Sequence, residues 1–344
     1  MRHLNLCITN KCNQDCIHCY VNPNQGDIED INKDVLVNFI ENCVAIGLKS
    51  VHIFGGEPFL RHDLIDICNA FINLGLHISI ATNGHFLNED IIKWLKSNNI
   101  FLTITLHGLK DIHDRISKNP GSYDRTVANI KLALKNNLHF ALTTCINKIN
   151  AHSYYQLVRE MANIGVKNFI ILYFSPIGRG IELINEIMTN EEWENFIFEF
   201  QKLKMNLPLD IEISFEQSIF HKKYISYFTL RQGWSHVCSC NITTKEMIVI
   251  DSNGDVYPCI LLLRDRRFLL GNIKSLDLKN LMANFDDKLN NILIIPDTCL
   301  ECSIFDLCKS GCIAYKGKDN LDFRCNPKLK NYALFCPLFT RELY

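Results

Sequence analysis

Six short apolar, β-branched runs, at 4–9, 50–54, 77–82, 101–106, 139–146 and 168–174, alternate with amphipathic stretches across the first half of the sequence. Runs this short and apolar read as strands with both faces covered. The stretches between them have helical period. In 33–46, Leu36, Phe39, Ile40, Cys43 and Val44 share one face, and Gly47 marks the stop. In 64–74, Ile67, Cys68, Phe71 and Ile72 do the same, with Asp63 as N-cap and Gly75 as stop. Asn88 and Ser122 can cap the next two helices, and Thr189 with Glu192 fits a capping box. Strict βα repetition leaves little but a parallel sheet with right-handed crossovers. Six units are too few to close an eight-stranded barrel. The expected α/β fold is therefore an open, partial (β/α)6 TIM-like barrel, with its chemistry at the C-terminal ends of the strands.

The pattern changes after about residue 210. Helical periodicity fades, 246–250 and 255–258 flank a turn at Asn253-Gly254 as a hairpin, and cysteines become dense. We divide the chain into a barrel core at 1–209, a connecting segment at 210–233 and a cysteine-rich unit at 234–344, built of the hairpin, loops and short helices. That last unit has little apolar core of its own and calls for metal to hold it together.

The chain has 16 cysteines. Its N-terminus lacks the apolar region of a secretion signal, so a reducing, cytoplasmic setting is expected and disulfides are not. With 36 Lys plus Arg against 37 Asp plus Glu, the balance weakens any case for nucleic-acid or polybasic membrane binding. No apolar run is long enough to span a bilayer. Cys7, Cys43, Cys68 and Cys145 sit in strand or helix patterns and read first as small buried hydrophobes. The rest cluster at the two ends of the chain.

Cys12-Asn13-Gln14-Asp15-Cys16-Ile17-His18-Cys19 follows the first strand directly. Three thiolates on one tight loop can hold three irons of a [4Fe–4S] cube and leave the fourth iron open to a ligand. A zinc site is the rival, with His18 as fourth ligand. Gly55-Gly56-Glu57-Pro58 follows the second strand. Its glycines let backbone approach a ligand and its carboxylate can take an ammonium group, although the same residues also make a plain turn. At the other end, Cys240, Cys259, Cys299, Cys302, Cys308, Cys312 and Cys325, with Cys238 and Cys336, exceed what two zinc sites need.

Taken together, these motifs resemble the radical S-adenosylmethionine (radical SAM) superfamily with a C-terminal SPASM extension, of the kind that matures peptides. The resemblance implies that Cys12, Cys16 and Cys19 hold a [4Fe–4S] cluster, with His18 beside it. It implies that Gly55, Gly56 and Glu57 receive the amino group of SAM. Thr82 and Asn83, in Ala81-Thr82-Asn83-Gly84, would lie near the cofactor, and Thr105 would supply a hydroxyl on the ribose side. Thr105-Leu106-His107-Gly108, Ile112-His113-Asp114-Arg115 and Gly121-Ser122-Tyr123 resemble a Ser-Leu-Asp-Gly, His-Asp, Gly-Ser-Phe series of the subgroup. Two departures stand out: His107 replaces an Asp, and Ser117, followed by Lys118, replaces an Arg that meets the SAM carboxylate. Ser175-Pro176-Ile177-Gly178-Arg179-Gly180 after the sixth strand also fits the family.

The SPASM likeness implies two auxiliary [4Fe–4S] clusters, making three in all and about twelve irons per chain. The first would use Cys238, Cys240, Cys259 and Cys312. The second would use Cys299, Cys302, Cys308 and Cys325, with Cys336 as the alternative to Cys325.

A radical SAM enzyme of this type cleaves SAM reductively to a 5′-deoxyadenosyl radical, which abstracts hydrogen from substrate. The expected substrate is a ribosomally made peptide, cross-linked or epimerised, with a flavodoxin or ferredoxin as electron donor. A separate recognition protein is a further expected partner, because strand one begins near residue 4. A small-molecule or tetrapyrrole-precursor enzyme is the alternative, and a non-catalytic iron–sulfur or zinc protein is the alternative from another class. Ile260 after Pro258-Cys259 stands where sulfatase-maturing enzymes have an Asp base, which argues against formylglycine formation. Cys145, if it faces the barrel interior, is a candidate hydrogen donor or substrate contact, and His107 is a candidate base; against these stand a packed strand cysteine and a structural polar contact.

Overall fold

A computed structural model describes residues 1–24, 26, 29–208, 210–216, 219–221, 242, 247–292, 294–302, 305, 311–316, 322, 325 and 332–334. The expected alternation is present: β1 (His3–Cys7), α1 (Lys33–Ala45), β2 (Ser50–Phe54), α2 (Leu64–Asn73), β3 (His77–Thr82), α3 (Glu89–Ser97) and β4 (Phe101–Thr105). Two helices follow, α4 (Lys110–Ser117) and α5 (Ser122–Lys135), then β5 (Phe140–Ile146), α6 (Tyr154–Asn163), β6 (Asn168–Tyr173) and α7 (Asn190–Lys204). Strands β1 to β6 lie side by side in chain order, every pairing parallel, as a partial barrel.

The sheet goes beyond six strands at both edges. At one edge β7 (Glu212–Glu216) pairs parallel with β6, with Asn168 opposite Glu212. Its Glu-Ile-Ser-Phe-Glu alternation buries Ile213 and Phe215, and Phe215 meets the α7 rings of Trp193 and Phe200. The sequence carries this period-two signal inside the stretch expected to be a connector. At the other edge the expected hairpin forms from β9 (Met247–Ile250) and β10 (Asp255–Tyr257), antiparallel, with β11 (Gly271–Asn272) beyond. β9 pairs parallel with β1, His3 opposite Met247, so the cysteine-rich region continues the barrel sheet. A separate antiparallel pair joins β8 (Ile219–His221) to β12 (Tyr332–Leu334). Helices α8 (Leu278–Ile292) and α9 (Asp297–Leu300) complete the described C-terminal elements. Among the described residues, no helix is long and apolar enough to cross a membrane.

The strands are not equally covered on both faces, contrary to the expectation from their composition. Val51, Ile53, Ile78, Ile80, Leu102, Ile104, Phe169 and Ile171 are buried, and Cys43 and Cys68 join the same core from α1 and α2. The alternate residues His52, Ser79, Thr103, Thr105, Thr143 and Cys145 are only half-buried. The sheet thus keeps a polar second face, the inner face of the partial barrel.

The helix starts follow the expectation only in part. Asn88 accepts from the Ile91 N–H, and Thr189 with Glu192 closes a capping box. Asp63 makes no cap bond, because Arg61 holds its carboxylate at 2.6 Å. Ser122 is the first residue of α5, Gly121 is its N-cap, and the Ser122 hydroxyl is used elsewhere.

Candidate active site at the strand ends

The cysteine loop leaves β1 and is gripped by backbone from three directions. Asp15 N–H donates to Ser117 O (3.1 Å) and Ile17 N–H to Ile116 O (2.9 Å), so the loop lies on the end of α4. Ser117 is buried at this contact. Gly56 N–H donates to Thr9 O (2.9 Å) and Glu57 N–H to Lys11 O (2.7 Å). A Cβ on Gly56 would stand 2.1 Å from Lys11 O and 3.1 Å from Cys12 Cβ, so only glycine permits this approach. On the third side, Arg179 N–H donates to Cys19 O (3.0 Å), and a Cβ on Gly178 would stand 2.5 Å from Tyr20 O.

Burial pushes the Cys12 thiol up to about 12, partly offset by the Gln14 N–H on its sulfur. Cys16 is also pushed well up, by burial and then by the negative charge that Cys19 and Cys12 would carry. Burial raises Cys19 too. Three desolvated, mutually repelling thiols resist ionisation unless cations share the site, which suits an iron–sulfur cluster. Among the described residues, no group of three His, Cys, Asp or Glu side chains converges on a single metal ion. The thiolates of a cube bind separate irons and need no such convergence.

Glu57 is fully buried. Its carboxylate accepts from Thr82 Oγ1 (2.7 Å), Asn83 N–H (2.8 Å) and Phe59 N–H (3.2 Å). It therefore ties the end of β3 to the Gly55-Gly56 turn, and burial lifts its pKa to about 7 against the pull of those donors. Asn83 Nδ2 reaches the cysteine loop at Asn13 Oδ1 (2.8 Å). Thr105 lies half-buried on the inner face, opposite Thr143 in the adjacent strand. Cys145 is on that same face, two residues past Thr143; burial lifts its thiol to about 12 and a backbone hydrogen bond from Ser175 opposes this.

His18, within the cysteine loop, faces His107. Their rings meet edge to face at 4.6 Å, and His107 stacks on His113 at 5.2 Å. His107 Nε2 stands 3.7 Å from Cys16 Sγ. Burial lowers the pKa of His18 to about 4 and that of His107 well below its usual value. Lys118 is a left-handed C-cap with an exposed side chain, 3.4 Å from Asp15. Arg179 pairs with the same Asp15 through Nη1, while its Nε and Nη2 are buried without a partner among the described residues. Its charge acts on Cys12. The residues that sequence reasoning missed, Gln14, Asn13, His85 and Arg179, act through contacts between distant segments. Only the Ser175–Gly180 motif had pointed at Arg179.

In the C-terminal field, Cys259 at the end of β10, Cys299 and Cys312 are buried, and Cys302 and Cys325 half-buried. Cys302 N–H donates to Cys299 O (3.0 Å). Buried Asp322 accepts from Cys312 N–H at Oδ2 (2.8 Å), and its carbonyl accepts from Cys325 N–H (2.8 Å). Cys238, Cys240, Cys308 and Cys336 lie outside the described residues. Tyr315 brings this field to the barrel, its hydroxyl meeting Ser175 Oγ.

Residues 6–181 match the family described as the radical SAM superfamily, and 238–312 match SPASM, described as an iron–sulfur cluster-binding domain. The chain is 23% identical to an AdoMet-dependent heme synthase of Methanosarcina barkeri, over 89% of each chain. It is 26% identical to a cysteine-type anaerobic sulfatase-maturating enzyme of Clostridium novyi, over 96% of this chain and 91% of that one. Streptococcus suis SuiB bound to precursor peptide SuiA superposes with a TM-score of 0.74 at 19% identity, covering 94% of this chain and 75% of that one. At that identity the likeness is one of fold.

Proposed function

The chain belongs to the radical SAM superfamily and carries a SPASM region, and on that premise we propose that it modifies a ribosomally made peptide by hydrogen abstraction, leaving a cross-link or an epimer. The observation that carries the reading is the cysteine loop clamped against the Gly55-Gly56 turn at the mouth of a sheet whose inner face is polar and half-buried. When bound, a [4Fe–4S] cluster on Cys12, Cys16 and Cys19 with SAM supplies the electron and the 5′-deoxyadenosyl radical. The chain's own residues do the rest. The backbone at Gly55 and Gly56 receives the SAM amino group, with Glu57, Thr82 and Asn83 keeping that turn in place. The carboxylate falls to Arg179 rather than Lys118, because the Nε and Nη2 edge of the guanidinium is the standard bidentate partner and has no acceptor among the described residues. Thr105 faces the ribose from β4. Cys145, on the same inner face, is the candidate hydrogen donor to a substrate radical. His107 is set behind Cys16 and is not the base. The C-terminal cysteines would hold two auxiliary [4Fe–4S] clusters, whose chemistry would be electron relay, with a flavodoxin or ferredoxin in the cytoplasm as the electron donor. A separate protein presents the peptide.

A peptide substrate draws support from SuiB, a structural neighbour crystallised bound to its precursor peptide SuiA. A second reading, a tetrapyrrole precursor as substrate, draws support from the heme synthase relative. Anaerobic incubation of the reconstituted chain with SAM, reductant and a candidate peptide, followed by mass spectrometry, separates them. Loss of two hydrogens marks a cross-link, and gain of deuterium from heavy water marks an epimer. Turnover of a tetrapyrrole with the peptide untouched favours the second reading. Cys16→Ala should abolish SAM cleavage; retained cleavage would sink both.

A further inference from the structure

Two backbone N–H groups determine where the protons lie in the polar cluster behind Cys16, since a main-chain N–H can only donate. The first is that of His107, which points at His113 Nδ1 (3.1 Å). His113 Nδ1 therefore accepts, and the neutral ring carries its proton on Nε2, 2.9 Å from Ser122 Oγ. The second is that of His85, which donates to Asn83 Oδ1 (3.0 Å). That orients the Asn83 amide, whose Nδ2 donates to Asn13 Oδ1 (2.8 Å). Asn13 Nδ2 then donates to His85 Nδ1 (2.9 Å). His85 accordingly carries its proton on Nε2, which also faces Ser122 Oγ at 2.9 Å. Burial keeps both rings neutral by lowering their pKa values.

Two imidazole N–H groups thus donate to one hydroxyl and fill both of its lone pairs. The Ser122 O–H must donate to its remaining neighbour, the Gln14 amide 2.8 Å away. As placed, Gln14 turns Nε2 to Ser122 and Oε1 to Cys16 Sγ, at 3.5 Å. An amide's oxygen and nitrogen have nearly the same shape, and the hydrogen-bond network decides between them. Here the proton count requires the reverse, with Oε1 on Ser122 and the NH2 group on Cys16.

We propose that Cys16, as a thiolate, receives two side-chain N–H hydrogen bonds, from the Gln14 amide and from His107 Nε2, and that the Asn83–Asn13–His85–Ser122–His113 network holds the Gln14 amide in that sense. With its proton on Nε2, His107 leaves Nδ1 bare, and Nδ1 is the buried ring atom without a partner among the described residues. The proposal rests on the iron–sulfur reading above. Hydrogen bonds to cluster sulfur withdraw charge and raise the reduction potential. Gln14, His107 and Ser122 are then positioning residues that make the N-terminal cluster easier to reduce.

The test is a potentiometric titration of the reconstituted full chain, followed by electron paramagnetic resonance, with iron measured in every sample. The N-terminal cluster's signal is the one missing from C16A. At a fixed potential, H107L and S122A should each lower its reduced-to-oxidised ratio by about 3- to 10-fold. H107Q, which keeps an N–H, should stay within about 2-fold of wild type. Wild-type iron with an unmoved ratio in both H107L and S122A overturns the proposal alone. A chain that takes up no iron overturns the iron–sulfur reading and this proposal with it. Independently of iron, nitrogen NMR should find both His85 and His113 protonated on Nε2; a proton on Nδ1 of either ring overturns the network.

Discussion

Arg264 Nη2 donates to Asn10 Oδ1 at 2.8 Å, joining residues 254 positions apart. The same guanidinium donates to Val21 O (2.7 Å) and pairs with Asp251 (2.9 Å), which is buried in the hairpin turn. Arg264 takes a left-handed backbone, φ 67°, to reach them. One side chain thus clamps both ends of the cysteine loop to the strand pair that leads to Cys259.

Arg264→Met leaves Asp251 buried without its partner. It should lower stability by about 3 kcal/mol, read as the shift of the urea midpoint, and should reduce iron uptake at the N-terminal loop. Arg264→Lys should recover only part of this, since an ammonium cannot serve three acceptors in one plane. A midpoint unchanged in Arg264→Met would show that the clamp carries no load.

Glu57 should make stability depend on pH. Burial raises its pKa from an ordinary 4.5 to about 7, so the folded chain holds the proton more tightly than the unfolded one. The stabilisation is complete below about 4.5 and is lost as the pH rises through about 7. Urea midpoints should therefore fall across that window in the wild type, and more steeply than in Glu57→Gln, which cannot titrate. Equal slopes would mean that the three donors keep Glu57 ionised throughout.

Arg179 and Lys118 can be told apart by SAM binding. Arg179→Met should weaken SAM by about 30-fold or more, the scale of losing one partner of a desolvated charge pair. The same variant should hardly change affinity for decarboxylated SAM, because the lost contact is to the carboxylate. Lys118→Met, at an exposed side chain 3.4 Å from Asp15, should stay within about 3-fold. Anaerobic equilibrium dialysis measures all three.

Asp322→Ala removes the buried acceptor of the Cys312 N–H. It should cost about four of about twelve irons while sparing the N-terminal cluster's resonance signal. Iron analysis showing a full complement would place Asp322 outside the ligand scaffold.

What the sequence determined by itself was contiguous. The βα alternation follows from local hydrophobic period, and the Cys12–Cys19, Gly55–Pro58 and Thr82–Gly84 motifs each occupy one strand end, so chain order alone gathers them at one end of the sheet. The hairpin at Asn253-Gly254 was legible for the same reason. The tertiary structure decided whatever depends on segments meeting. Residues remote in sequence converge on Ser122, so a serine that looked like a helix cap became a hub and a histidine that looked like a base came to rest on Cys16. Ser117 packs under the loop, and Arg179, from beyond β6, brings the nearby positive charge instead. Strand β9 docks on β1 because its Met-Ile-Val-Ile run is buried along its whole length and needs a neighbour. A local pattern states what a segment can pair with, whereas partner choice is set by burial and hydrogen-bond satisfaction summed over the whole chain.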